Sequence, residues 1–487
     1  MSCSTVSERP IICWFRNDLR LSDHAALHAA VASGRPLMAL YILDDSNAGR
    51  WRQGSASRWW LHHSLMSLQR SLAKLGGDLC LRRGNPLTII PELLAETGAK
   101  ALYFTRAYEP WAGTVEKALH SRLHKEIDIQ RFPGALLFEP EQIKTKAGDP
   151  FKVFTPFWKA CLQARQADSC LPAPESINFY SHAPYSEDLP SWRLLPTSPD
   201  WAGGLREAWQ PGEEGAWGTL ENFLQTSLTH YAAQRDRPDL RATSCLSPYL
   251  HFGELSPRQL WLAIRGWQDT HAGATKGAES FLRELGWREF CWHLLFHWPK
   301  LPEEPFQQQF AAFPWQRDAA LLQAWQQGRT GYPIVDAGMR ELWQTGWMHN
   351  RVRMIAASFL VKDLLQPWQD GEAWFWDTLV DADLANNAGG WQWVAGCGAD
   401  AAPYFRIFNP VLQGKKFDLE GVYVKRWLPE LSALPAKHIH EPWLAPNAVL
   451  RQAGITLARD YPFPLVDHAE ARQRALASFQ QSKHSAE

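Results

Sequence analysis

The stretch "IICWFRNDLRLSDH" (11–24) decides how the amino-terminal part of the chain folds. Five apolar residues make a buried strand, and a charged turn follows them. A strand that runs into helix-forming sequence is a βα unit, and the question is whether it is the dinucleotide-binding kind. That kind uses a glycine-rich turn, because only a bare backbone lets a pyrophosphate approach the start of the next helix. No glycine occurs from 11 to 33. Nicotinamide binding at this end is not expected.

Further apolar runs follow at regular intervals: "PLMALYIL" (36–43), "DLCLR" (78–82), "KALYF" (100–104) and "IDIQRF" (127–132). Helical patterns separate them, notably "SASRWWLHHSLMSLQRSLAKL" (55–75) and "AGTVEKALHSRLHKE" (112–126). Strands alternating with helices of this length predict a parallel sheet covered on both faces. From about 165 to 205 the composition turns to Pro, Ser and Asp, the chemistry of turns and linkers. Beyond it the periodicity is helical, as in "ESFLRELGWREFCWHLLFH" (279–297) and "GMRELWQTGWMHNRVRMIAASFLVKDLL" (338–365). The expected organisation is an α/β domain at 8–135 with a Rossmann-like parallel sheet, a connection at 136–205, and a large all-α domain at 206–487.

Lys and Arg number 50 against 51 Asp and Glu, so any nucleic-acid partner must be met by a local basic patch rather than by overall charge. No stretch approaches the roughly 18 uninterrupted apolar residues of a membrane span, and "MSCSTVSERP" is not a secretory leader. A soluble, cytoplasmic, monomeric protein is expected. Eight cysteines (3, 13, 80, 161, 170, 245, 291 and 397) include no CxxC pair, so they are read as reduced, buried and structural. Neither His62–His63 nor His438–His440 has Cys or carboxylate partners at ligand spacing; they are read as surface or capping histidines, with no metal site.

Tryptophan is abundant, 26 residues of which 19 lie at or beyond 201. The segment "NNAGGWQWVAGCGADAAPYFRIFNP" (386–410) has two of them one residue apart, with Asp400 its one acid and Arg406 its one base. On a helix Trp391 and Trp393 differ by about 200°, so one faces a cofactor or leads away from it while the other lines a substrate cavity. Asn386, Asn387, Gly389 and Gly390 let a flat ligand approach the backbone and offer it an uncharged amide. The partial dinucleotide match "GCGADA" (396–401) is set aside because Pro403 stands where the binding helix would run. Hydroxyls at 243, 244 and 247 precede Pro248, which suits either an ordinary helix cap or a pyrophosphate cradle. The pairs Glu284/Trp287, Asn350/Met354 and His349/Arg353 each share a helix face, and burial of Arg353 demands a carboxylate that "DAD" (381–383) can supply. Chemistry with so few acids and bases must come from a bound cofactor, and tryptophans suggest electron transfer with an aromatic one.

The sequence resembles the photolyase/cryptochrome family over nearly its whole length, most closely the bacterial cyclobutane pyrimidine dimer photolyases of the class I or III kind. The carrying segments are "CWFRNDLRLSDHAAL" (13–27), "FKVFTPFWKA" (151–160), "TSCLSPYLHFGELSPR" (243–258), "ELGWREF" (284–290), "GYPIVDAGMREL" (331–342), "GWMHNRVRM" (346–354), and "DADLANNAGGWQW" through "APYFRIFNP" (381–410). The resemblance implies an antenna-binding α/β domain and a helical domain that holds FAD. It further implies light-driven electron transfer from reduced FAD to a pyrimidine dimer in DNA, which splits and returns the electron.

Carried over by position, Tyr231, Thr243, Ser244, Leu246, Ser247, Phe281, Arg353, Asp381, Asp383 and Asn387 match FAD contacts. Asn387 matches the position facing flavin N5, where plant cryptochromes have Asp. Trp391, Trp368 and Trp315 match the relay of photoreduction, and Glu284, Trp287, Asn350, Arg351, Met354, Trp393 and Gln413 match lesion contacts. Asn350 stands where the (6-4) enzymes carry a catalytic His, which favours a cyclobutane dimer. Glu284, Asn350, Met354, Asn387 and Trp393 are accordingly the expected catalytic group. Arg235, Arg288, Arg351, Arg406, Lys415 and Lys416 are expected as phosphate contacts at the rim.

One departure is plain. Folate-binding relatives of one class carry an Asn-Glu pair soon after "YE", whereas "YEPWAG" (108–113) has Trp111 and Ala112 there. A methenyltetrahydrofolate antenna held in another way is expected, with a deazaflavin or no antenna as alternatives. A cryptochrome-type photoreceptor is the alternative function. A flavin-dependent dark oxidoreductase would need a nicotinamide site that the sequence does not offer.

Overall fold

The computed structural model describes residues 9–164, 169–182 and 184–484; Cys3 lies outside them. Five parallel strands, β1 (Ile11–Phe15), β2 (Leu37–Leu43), β3 (Leu79–Arg83), β4 (Ala101–Thr105) and β5 (Asp128–Phe132), form one sheet in the order β3-β2-β1-β4-β5. Each falls within about one residue of the expected run. Helices α1 (Ala25–Ala32), α2 (Ser55–Lys74), α3 (Pro86–Thr97) and α4 (Pro110–Leu123) connect them.

The runs are continuously apolar because successive side chains enter two different cores. Ile11, Cys13 and Phe15 pack with Ala26 and Leu27 of α1 and Trp59 and Trp60 of α2. Ile12 and Trp14 face the other way, toward Ile90 and Leu93 of α3 and Leu119 of α4. The strand order reverses between β1 and β4, and in such sheets a crevice opens at the carboxyl ends of those two strands.

Among the described residues beyond 205 the regular structure is helical, apart from an isolated bridge between Leu457 and Tyr461. The segment between the sheet and these helices contains α5 (Phe154–Gln163), and Leu37 pairs with Phe179 at the free end of β2. No helix among the described residues is long and apolar enough to cross a membrane.

The glycine-free turn after β1 docks the two parts together. Asp18 accepts from its own turn at Arg16 N (2.6 Å) and faces His24 Nε2 at 2.9 Å, while His24 Nδ1 caps α1 by accepting from Leu27 N (3.1 Å). Beyond this rigid turn, Arg20, 1% exposed, donates to Gly253 O (2.8 Å), and Leu19 N donates to Phe252 O (3.1 Å). Gly253 has φ +66°, and a Cβ there would lie 2.1 Å from Asn17 O, so only glycine permits the contact. Asp23 accepts from Ser256 Oγ (2.5 Å), from Arg258 Nε (3.0 Å) and Nη2, and from Leu171 N (3.1 Å). Glu254 accepts from Trp60 Nε1 (3.0 Å) and Gly212 N (2.6 Å), and Glu289 from Leu137 N (2.8 Å). Burial pushes these two carboxyls up to about 8 and about 7.

Two of the histidines are buried rather than surface residues. His62 and His440 are 7% and 2% exposed; His440 is the C-cap residue of helix Ala436–Ile439, in keeping with a capping role, and its Nε2 bonds Asp418 O at 2.7 Å. No group of metal-ligating side chains occurs among the described residues. The cysteines described are free, and Cys13, Cys80, Cys161 and Cys397 are buried.

Replacing Asp23 by Ala removes the carboxylate shared by Arg258, Ser256 Oγ and Leu171 N at the boundary between sheet and helices, and is expected to destabilise the protein by about 3 kcal/mol. Chemical denaturation monitored by circular dichroism checks this.

Candidate active site

A cavity of about 720 Å³ opens among the helices beyond residue 230. That volume lies in the range of cofactor and substrate sites. Helix Leu384–Ala395 forms its floor, and Asp383 fixes where this helix begins. The Asp383 side chain accepts from Asn386 N (2.9 Å), Asn386 Nδ2 (2.7 Å) and Trp292 Nε1 (3.1 Å), with His251 Nδ1 at 3.8 Å. Burial opposes its ionisation, but the nearby His251, helped by Arg288 and the Asn386 amide, outweighs burial and holds the carboxyl below its usual range.

Asn387, one turn in, donates its Nδ2 to Glu372 O (3.0 Å), so its amide offers the cavity an acceptor oxygen and no titratable proton. The Glu372 side chain behind it is fully buried, and burial pushes its pKa well up. Gly390 lines the cavity, and a Cβ built on it meets nothing within 4 Å, leaving bare backbone at that face. Trp391 is 2% exposed and wedged against Phe375 (5.0 Å) and Gly371, while Trp393 is half-buried; both reach the cavity.

Helix Thr275–His297 supplies the opposite wall. Phe281, Glu284, Trp287 and Cys291 repeat at helical spacing along it and line the cavity. Phe281 packs with Tyr231 (5.4 Å) and Phe223 (4.8 Å). Trp287 is stacked on Phe154 of α5 at 3.8 Å and 8°, and Phe154 N is held by Asp400 Oδ2 at 2.9 Å. Glu284 is ion-paired with Arg235.

Helix Asn350–Ser358 brings Asn350, Arg351, Arg353 and Met354 to the cavity. Asn350 Nδ2 lies 4.0 Å from Met354 Sδ. Arg353 Nη2 bonds both oxygens of Asp381 (3.1 and 2.9 Å), the carboxylate that its burial requires. His349 does not share a face with Arg353: it caps this helix, its Nδ1 accepting from Arg351 N at 3.1 Å. Burial lowers the His349 imidazole to about 4.

The third side is the loop Thr243–Ser247. Cys245 adopts φ +53°, and Thr243, Ser244, Leu246 and Ser247 all line the cavity. The hydroxyls do not cap the following helix Ser247–His251, whose N-cap residue, Leu246, makes no side-chain cap. The capping reading of these residues therefore fails.

Nearly every expected site residue meets in this cavity. The exceptions are informative. Trp368, 1% exposed, and Trp315, half-buried, lie outside the lining in the same hydrophobic core as Trp391, with Trp315 the nearest of the three to solvent. Gln413, Lys415 and Lys416 stand on helix Pro410–Phe417, outside the lining, and Lys415 pairs with Glu441 (2.5 Å). Arg288 is not a rim residue: its guanidinium donates to Ala135 O (3.0 Å) and pairs with Glu289 (2.8 Å). Arg351 pairs with Asp236 (2.8 Å), whereas Arg406 is exposed at the cavity edge. Cys291, His251 and Asp400 were missed. Cys291 lies four residues beyond Trp287 on the same helical face, so periodicity alone points to it; His251 and Asp400 carry no such signal.

A second cavity of about 170 Å³ occupies the crevice at the carboxyl ends of β1 and β4. Trp14, Tyr41, Trp51, Trp111 and Trp376 line it. Leu250, His251, Arg288, Ala382 and Asp383 line both cavities, which therefore stand back to back.

The donors suit FAD. Hydroxyls at 243, 244 and 247 and the Arg353 guanidinium fit a pyrophosphate, apolar Leu246 and Phe281 fit flat rings, and Asn387 gives a polar edge. Residues 11–176 match the family described as DNA photolyase, and residues 281–481 the FAD binding domain of DNA photolyase. A deoxyribodipyrimidine photo-lyase of Agrobacterium fabrum is 50% identical over 471 residues, 96% of this chain and 97% of that protein. Cryptochrome-2 of Arabidopsis thaliana is 38% identical over 494 residues, 96% of this chain and 78% of its own. A bacterial class III photolyase from Agrobacterium tumefaciens has the same architecture, with TM-score 0.96 at 49% identity and 99% of both chains covered. A five-stranded parallel sheet, a helical cavity with FAD-compatible donors and two matched regions spanning both leave one assignment: the chain belongs to the photolyase/cryptochrome family.

Proposed function

We infer that the protein is a light-driven repair enzyme for cyclobutane pyrimidine dimers in DNA. The observation that carries this reading is a single cavity into which Asn387, Glu284, Asn350, Met354 and Trp393 all open. Bound FAD supplies the light-driven electron.

The chain's own residues do the rest. Arg353, neutralised by Asp381, anchors the cofactor side without leaving a net charge beside it, and Thr243, Ser244 and Ser247 with Tyr231, Leu246 and Phe281 complete the cradle. Asn387 presents an acceptor that cannot ionise, which suits a site that keeps its flavin reduced. Trp287 and Trp393 provide apolar faces for a flipped-out dimer, and a damaged step is cheaper to unstack than an intact one. Glu284, Asn350 and Met354 meet the dimer's polar edges. Arg235, Arg351 and Arg406, with Gln413, Lys415 and Lys416 beyond, meet the strand, Arg235 and Arg351 by exchanging Glu284 and Asp236 for phosphate.

In this reading the chain divides at 8–135, 136–205 and 206–487 and works as a cytoplasmic monomer. The antenna is methenyltetrahydrofolate in the crevice lined by Trp14, Trp51 and Trp111, with Trp111 providing a stacking face where other relatives use an Asn-Glu pair. Mass spectrometry of material released from the purified protein is expected to find a folate besides FAD. A deazaflavin, or FAD alone, overturns the antenna assignment.

Blue light on the chemically reduced protein with dimer-containing DNA is expected to restore the pyrimidines over many turnovers, and dimers that persist would sink the repair reading. A photoreceptor would leave the dimers intact. Trp391→Phe is expected to slow photoreduction at least tenfold while chemically reduced enzyme still repairs; equal photoreduction rates would remove Trp391 from the relay.

A further inference from the structure

The segment 402–409, between helix Leu384–Ala395 and helix Pro410–Phe417, carries Arg406 to the edge of the large cavity and forms a lip there. Its side chains alternate in depth: Ala402 and Tyr404 are 6% and 3% exposed, while Phe405 is 64% exposed beside the exposed Arg406. Tyr404 is packed against Phe313 (5.3 Å) and Phe479 (4.6 Å), which anchors that residue. The backbone beyond it is held from beneath by two polar side chains of one helical stretch. Phe408 N donates to Ser358 Oγ at 3.4 Å, and Lys362 Nζ donates to Arg406 O at 2.8 Å.

Ser358 and Lys362 are four residues apart and each is 1% exposed. Between them the chain leaves the α-helix for a π-helical turn, Phe359–Asp363, a distortion frequent at functional sites. Burying an ammonium is costly, and desolvation brings Lys362 down to about 7 even though the neighbouring Asp363 opposes the shift. The polar atoms it meets are the Arg406 carbonyl and the face of Tyr404, whose centroid is 5.2 Å away. At its amino end the same helix presents Asn350, Arg351 and Met354 to the cavity. It thus organises the cavity directly from one end and holds the lip from the other.

We propose that Lys362 is a positioning residue for substrate binding: it pins the main chain of the 402–409 lip from below, so that Arg406 and Phe405 meet the DNA at a fixed height. The proposal rests on reading Arg406 as a DNA contact. Lys362 does not line the cavity, so its loss acts on binding and not on the photochemistry.

Flavin-loaded Lys362→Met, Lys362→Arg and Arg406→Gln are compared with the unsubstituted protein. Affinity for a duplex with one thymine dimer is measured in the dark at several salt concentrations, and repair per absorbed photon in the saturated complex. Lys362→Met is expected to bind about tenfold more weakly, with raised hydrogen exchange at the 402–409 amides and unchanged repair per photon. Lys362→Arg is expected to recover most of the affinity. Arg406→Gln lowers the salt slope by about one with the lip still protected. Full affinity in Lys362→Met beside weakened Arg406→Gln overturns the tether, as does a fall in repair per photon. Weakened Lys362→Met beside full affinity in Arg406→Gln retains the tether and removes Arg406 as the contact. Should Lys362→Met lose its flavin, Ser358→Ala replaces it: roughly threefold weaker binding supports the proposal, and none overturns it.

Discussion

The position of Asp383 is the constraint from which the site follows. This one carboxylate starts helix Leu384–Ala395, holds the indole of Trp292 and faces His251, so it ties the cavity floor to the wall opposite and to the short helix that follows the third-side loop. Because it lines both cavities, it also sets the partition between the helical site and the crevice of the sheet. A charge this deep is tolerated only because three hydrogen bonds and the His251 ring attend it. Every residue from Asn387 to Trp393 takes its direction from that start.

Around this fixed point the interior is kept close to neutral. Arg353 is matched by Asp381, burial pushes the Glu372 carboxyl toward its neutral form, and Asn387 contributes an amide. Unbalanced charge in so dry a place would compete with whatever charge an electron transfer creates, since electrostatic energies grow as the local dielectric falls. Residues that cannot titrate suit electron transfer better than acids and bases do.

The sheet was legible in the sequence because burial on both faces writes each strand as an unbroken apolar run, and all five fell where the runs predicted. The pairing of Arg353 with Asp381 was legible too, since a buried guanidinium must find a carboxylate. Residues whose roles depend on packing between distant segments were not. The hydroxyls before Pro248 suited a cap as well as a cradle, and local pattern could not show that Cys245, at φ +53°, turns the loop toward the cavity. Arg288 read as a rim cation, but Ala135 O and Glu289 claim it at the boundary with the sheet. The crevice lined by Trp14, Trp51, Trp111 and Trp376 draws on four separated segments, and no local pattern announces that they meet. Nor does a missing glycine after β1 reveal that the turn serves to dock on Gly253.

Arg235 and Arg351 each carry an internal counter-charge, Glu284 and Asp236. In the proposed repair reading two of the cations that meet the strand are thus already answered, which weakens the long-range pull on undamaged helix, and residence lengthens where an unstacked lesion enters the cavity and these two arginines exchange partners.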